Sequence, residues 1–231
     1  MPTVASGCCK RLQTYVWYPE RRDQTTYPLF IFSHGYGPDP RIYSELLRHL
    51  ASQGFVVGAP AHDDCATSPC VRPLFTSDPT TPEQAARRLE DVAAVLDNML
   101  ALSAGQGSVW SGLIDANRIG LGGQSFGGWT TLAMGARDAR FRAMLALNPA
   151  LTIGMPSDPN AVAKPLMLMA GELDTMSRLF TLKGFYSRIP PTAPDRVRVV
   201  VPNAGHEFMD RCGPSMVVVW HRPVRARVQP G

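Results

Sequence analysis

The chain has 231 residues, 45% of them hydrophobic and 18% charged, the balance of an ordinary globular protein and not of a disordered one. No apolar run approaches the ~18 residues of a membrane span, so stable membrane insertion is not expected. The net charge of +4 has one source: Arg211, Arg222, Arg225 and Arg227 lie in a stretch without acid, and the other 19 basic residues equal the 19 acidic ones. A neutral body argues against nucleic acid as a partner. Residues 1–210 read as a single domain large enough for its own core, and 211–231 as a basic, partly disordered tail.

The five cysteines are Cys8, Cys9, Cys65, Cys70 and Cys212. An odd count argues against a fully paired extracellular framework. Free thiols are the default, with a Cys65–Cys70 loop as the alternative in an oxidising compartment. Their spacing matches no zinc site, and no metal is expected. The start, MPTVASGCCKRLQTYVWYPE, lacks a basic segment followed by an apolar one. That favours a cytoplasmic protein, with a mature secreted form as the alternative.

In chain order, two kinds of element alternate. Residues 12–18 read as an early edge strand. Short apolar runs follow at 28–33, 55–60, 118–122, 142–147, 165–170 and 197–201. Runs apolar on both faces suit strands buried from both sides, as in parallel sheets. Helical spacing fills the gaps. Residues 43–53 place Leu46, Leu47 and Leu50 on one stripe, with Gly54 as a stop. Residues 81–104 open on Thr81-Pro82-Glu83, an N-cap, a first-turn proline and an early acid. Residues 125–137 and 176–187 read as two more helices. Strand and helix in alternation predict an α/β fold with a mostly parallel central sheet and helices on both faces. About 17 residues separate Leu147 from Pro165, too few for a large lid domain. Residues 61–81 form a long polar loop, a kind that is often functional.

The motif GGQSFGG, residues 122–128, follows a strand and opens a helix. That is the setting of a nucleophile elbow, in which a serine sits on a sharp strained turn. Gly123 and Gly127, two residues either side of Ser125, must lack side chains for the chain to pass. A serine needs a base. Of the five histidines, His206 in Asn203-Ala204-Gly205-His206-Glu207 follows the last strand and has small neighbours. The base needs an acid. Glu172 and Asp174 both follow the 165–170 strand, and Asp174, farther into the loop, is preferred. The order Ser125, Asp174, His206 is that of the α/β-hydrolase fold. Two backbone N–H groups would complete an oxyanion hole: Phe126, after the nucleophile, and Tyr36, in the Ser33-His34-Gly35-Tyr36-Gly37 turn. His34 reads as packing rather than as a second base. Tyr36, Trp129 and Leu151 are candidate substrate-binding walls, with helix core as the alternative for Trp129. His62, Asp63 and Asp64 are candidate cleft residues.

Five stretches carry a family resemblance: FSHGYG (32–37), LASQGFVVGAPAHDD (50–64), DANRIGLGGQSFGGWTTL (115–132), MAGELDT (169–175) and NAGHE (203–207). The chain resembles serine α/β-hydrolases of the branch that holds dienelactone hydrolase-like, platelet-activating-factor acetylhydrolase-like and cutinase-like polyester hydrolases. The resemblance implies ester hydrolysis through an acyl-enzyme, no cofactor, and catalytic roles for Ser125, Asp174 and His206. Dienelactone hydrolases use a cysteine nucleophile, so the serine here argues against a dienelactone substrate. The expected substrates are short- and medium-chain acyl esters, small or polymeric. The alternatives are a non-catalytic ligand-binding protein on the same fold, and a thioesterase or peptidase.

Overall fold

Seven strands make one sheet: β1 (Thr14–Trp17), β2 (Tyr27–Ser33), β3 (Val56–Pro60), β4 (Ile114–Gln124), β5 (Ala143–Leu147), β6 (Leu166–Gly171) and β7 (Arg196–Val201). Their spatial order is β1-β3-β2-β4-β5-β6-β7. All neighbours are parallel except β1, which runs antiparallel to β3. Four helices connect them: α1 (Ser44–Ser52), α2 (Pro82–Ala104), α3 (Phe126–Arg137) and α4 (Leu179–Ser187). This computed structural model describes residues 12–19, 25–37, 39–63, 82–107, 109–151 and 157–207. The five cysteines, residues 64–81 of the long loop with Asp64, and the 211–231 tail lie outside the described residues.

The apolar runs of β2 and β3 are buried on both sides, as the sequence predicts, whereas β7, at the sheet edge, is mostly half-buried. In β2, Leu29 and Ile31 join the core under α2 and α3. The alternate residues Phe30 and Phe32 join the core under α1, with Leu47 and Val57. In β6, Leu166 and Leu168 pack against Leu182 and Phe185 of α4. Each such side chain contributes about 1.5–3 kcal/mol when fully buried. Helices therefore cover both faces. Arg140 ties two of them together: it pairs with Asp138 at the end of α3 and with Asp97 of α2. That guanidinium, hydrogen-bonded to the Asp138 carboxylate, holds its pKa below the ordinary value.

Two elements differ from the sequence expectation. The strand expected at 118–122 extends from Ile114 to Gln124, because Tyr27 and Pro28 pair with Ile114 and Asp115 before a register shift at Pro28/Leu29. The helix expected from Met176 begins at Leu179. The Met176 and Ser177 N–H groups instead donate to the Asp174 carboxylate, so the preceding turn is shaped around an acid.

The strand order carries the functional consequence. From β2 the chain crosses to β3 on one side, then returns to β4 on the other. In open α/β sheets that reversal leaves a crevice at the carboxyl ends of the strands. Ser33 ends β2 and Gln124 ends β4, so the His34–Gly37 turn and the Ser125 turn flank this switch point.

Candidate active site

Ser125 lies between β4 and α3 with φ 55° and ψ −116°. A non-glycine residue at positive φ is strained, by about 1–3 kcal/mol, and persists only where its surroundings hold it. Here they do. Its N–H donates to Leu147 O, and its carbonyl accepts from the N–H groups of Trp129 and Ala150. The flanking glycines meet backbone. A Cβ on Gly127 would strike the Ser33 and His34 carbonyls, and one on Gly123 would strike the Ser33 and Gly127 carbonyls. Backbone cannot step aside as a flexible side chain can. Gly127→Ala is therefore expected to cost more than the ~1–3 kcal/mol of ordinary overpacking, and to displace Ser125. Thermal denaturation and turnover of a chromogenic ester test this; a wild-type Tm with wild-type turnover would show that the turn can shift.

The Ser125 hydroxyl reaches His206, with Oγ 2.8 Å from Nε2. On the other side of the ring, Nδ1 lies 2.7 Å from Asp174 Oδ2. A carboxylate only accepts, so Nδ1 carries the proton and Nε2 is left to accept from the serine. Asp174 is fixed by its second oxygen: Oδ1 accepts the Met176 and Ser177 N–H groups, each at 2.8 Å. Its side chain is 0% exposed, and that of His206 is 11% exposed. The competing acid has another task. Glu172 is exposed and accepts the Asn203 N–H at 3.1 Å, bracing the turn that leads to His206.

Two side chains that sequence reasoning missed hold the histidine loop. Gln124, beside the serine, donates from Nε2 to the His206 carbonyl at 2.9 Å. Its Oε1 accepts from the Tyr43 hydroxyl at 2.8 Å. Asn148, at positive φ after β5, donates to the same carbonyl at 2.9 Å and accepts the Gly171 N–H at 2.7 Å. It thus joins the acid loop to the base loop. Gln124 was visible as the variable residue of the motif; nothing local marked Tyr43 or Asn148.

Neither expected oxyanion-hole N–H, Tyr36 or Phe126, is donated to a protein acceptor among the described residues. Tyr36 is half-buried, with its ring centroid 6.4 Å from that of Phe126. Leu151 is half-buried against the α4 side of the core. Trp129 is 2% exposed within the core of α2, α3 and β2, so it is helix core and not a cleft wall. The cleft role expected of His62 also fails. His62 is 8% exposed, bonded to Ser33 Oγ and Asp91 Oδ2. Asp63 is exposed. His34 is buried, as expected of a packing residue. Among the described residues no group of three or more His, Cys, Asp or Glu is placed to hold a metal ion, and no helix is long and apolar enough to cross a membrane.

A mostly parallel sheet with a strained serine at its switch point, and acid and histidine loops at adjacent strand ends, defines the α/β-hydrolase architecture. Comparison with known proteins agrees. Residues 16–98 match the family model for platelet-activating factor acetylhydrolase, isoform II. The platelet-activating factor acetylhydrolase of Gallus gallus is 27% identical, over 68% of this chain and 51% of the relative. Cutinase est1 of Thermobifida alba is 27% identical, over 83% of this chain and 56% of the relative. The bis(hydroxyethyl) terephthalate hydrolase of Streptomyces coelicolor is 28% identical, over 83% and 54%. The chain thus spans about half the length of these relatives. These matches, together with the fold, support a likeness to the serine-hydrolase branch of the α/β-hydrolase superfamily.

Proposed function

We propose that this chain hydrolyses carboxylic esters of short- and medium-chain acyl groups through an acyl-enzyme on Ser125. The observation that carries the reading is the hydrogen-bonded line from Asp174 Oδ2 through His206 to Ser125 Oγ, at 2.7 and 2.8 Å. In the proposed cycle His206 Nε2 takes the serine proton as Oγ attacks the ester carbonyl. Asp174 keeps the proton on Nδ1 and stabilises the imidazolium. The Tyr36 and Phe126 N–H groups receive the oxyanion. His206 then gives its proton to the leaving alcohol, and water repeats the sequence to release the acid. Tyr36 and Leu151 are the proposed apolar walls. Leu151 follows Ala150, whose N–H is bonded to the Ser125 carbonyl, a sequence neighbourhood that supports this choice.

The named activities of the relatives support ester hydrolysis and suggest the substrates to try. A panel of p-nitrophenyl esters graded by acyl length would be run beside platelet-activating factor, bis(hydroxyethyl) terephthalate, a thioester and an anilide. The expected result is turnover of the short and medium p-nitrophenyl esters, abolished by a serine-directed fluorophosphonate that labels Ser125. Preference for the thioester or anilide would move the reading to thioesterase or peptidase. Binding without turnover of any ester would overturn it.

A further inference from the structure

A charge lies where the α2 stripe should be apolar. Arg88 shares its buried face with Ala85, Leu89, Val92 and Leu96, and is 1% exposed. Burying a guanidinium costs several kcal/mol unless hydrogen bonds offset the loss of water. Three of its bonds converge on one turn. Nη1 donates to the His34 carbonyl and, at 3.2 Å, to Ser33 Oγ; Nη2 donates to the Gly35 carbonyl at 2.9 Å. The guanidinium carbon also lies 4.4 Å from the centre of the Phe126 ring. One side chain therefore touches the segment leading into Tyr36 and the residue after the nucleophile.

The Gly35 carbonyl and the Tyr36 N–H belong to the same peptide plane. In a trans peptide they point in opposite directions. Whatever holds the carbonyl therefore aims the N–H the other way. Gly35 is gripped from both ends. Its carbonyl receives Arg88 Nη2 and His34 Nδ1, and its N–H donates to the Tyr43 hydroxyl at 3.2 Å. A Cβ there would lie 2.6 Å from Gln124 Oε1 and 3.5 Å from Ser125 Cβ, which places this peptide against the nucleophile.

The grip is itself braced. His34 Nδ1 faces a carbonyl and must donate, while Nε2 accepts the His62 N–H at 2.9 Å. That bonding selects the neutral Nδ1–H ring. His62 in turn runs from Asp91 Oδ2, 2.9 Å from Nδ1, to Ser33 Oγ, 3.0 Å from Nε2. The line repeats the order acid, imidazole, hydroxyl, but Ser33 is 0% exposed and its oxygen already accepts from Arg88. It is a strut and not a second nucleophile.

We propose that Arg88 is a positioning residue for the oxyanion hole, holding the Gly35 carbonyl so that the Tyr36 N–H faces the acyl oxygen. This rests on the ester-hydrolysis reading above. The test compares wild type with Arg88→Gln and Arg88→Lys, well below each protein's Tm. Loss of a single oxyanion donor lowers kcat by about 10²–10³-fold, and the glutamine variant is expected to lose about 10²-fold with KM little changed. A trifluoromethyl ketone, whose adduct oxyanion occupies the hole, should bind more weakly by a similar factor. Lysine keeps the charge but not the two-pronged geometry, so it should fall between, and it carries the test if the glutamine variant does not fold. The Tyr36 amide resonance in ¹⁵N-labelled protein gives a readout independent of turnover: it should move in both variants. A lowered Tm with wild-type kcat, ketone binding and Tyr36 amide would overturn the proposal, leaving Arg88 purely structural. If the wild type hydrolyses no ester, the functional reading fails, and the Tyr36 amide alone decides whether Arg88 aims that N–H.

Discussion

Ser125→Ala is expected to lower ester turnover by about 10⁶-fold, close to the loss seen when a triad nucleophile is removed from a serine hydrolase. The residue supplies the only hydroxyl within hydrogen-bond reach of His206 Nε2 among the described residues. Without it, the proposed acyl-enzyme cannot form. The remaining hole and binding surface can still give a modest acceleration over water. Folding should change little. The backbone bonds that hold position 125 to Leu147, Trp129 and Ala150 do not involve the hydroxyl. Steady-state kinetics, mass spectrometry of the phosphonate adduct and a thermal melt would be read together. Wild-type turnover in this variant would remove Ser125 from the mechanism.

Asp174→Asn should cost about 10⁴-fold in kcat while leaving the fold intact, through the wrong tautomer of the base. The structure supplies the reason in detail. Oδ1 accepts the Met176 and Ser177 N–H groups, so an asparagine must keep its oxygen there. Its amide nitrogen then faces His206 Nδ1, where Asp174 Oδ2 now lies at 2.7 Å. Two donors cannot share that position. The ring moves its proton to Nε2 and can no longer accept from Ser125. Glu172→Gln is the matching control. It removes a carboxylate that, among the described residues, bonds only the Asn203 N–H, and should change kcat only a few-fold, as surface substitutions do. Equal losses in the two variants would mean that the acid has been assigned to the wrong residue.

The elbow was legible because its requirements are local. Gly123 and Gly127 sit at fixed offsets from the serine, and the turn they permit is defined by neighbours within a few residues. The strands were legible for a similar reason: burial on both faces writes itself as continuous apolar runs, as in Leu29–Phe32. The start of α4 was misread because a capped turn and a first helical turn have similar composition. Only the Asp174 carboxylate, drawing in the Met176 and Ser177 N–H groups, separates them. Trp129 was ambiguous between core and cleft because helical spacing reports a face and not what covers it.

Residue pattern alone thus points to the element order, the mostly parallel sheet and the order of the candidate serine, acid and histidine along the chain. These follow from local conformational preference and from apolar periodicity. It leaves open which loops meet. Asp174 and not Glu172 faces the histidine, His62 braces rather than lines the cleft, and Arg88 reaches Gly35 from 53 positions away. Gln124 meets Tyr43 across 81 positions and His206 across 82. Each of these pairs exists because parallel strands deliver their carboxyl ends to one edge of the sheet. Partners at that edge are chosen by strand order and loop path, and neither is recorded in the spacing of residues along the chain.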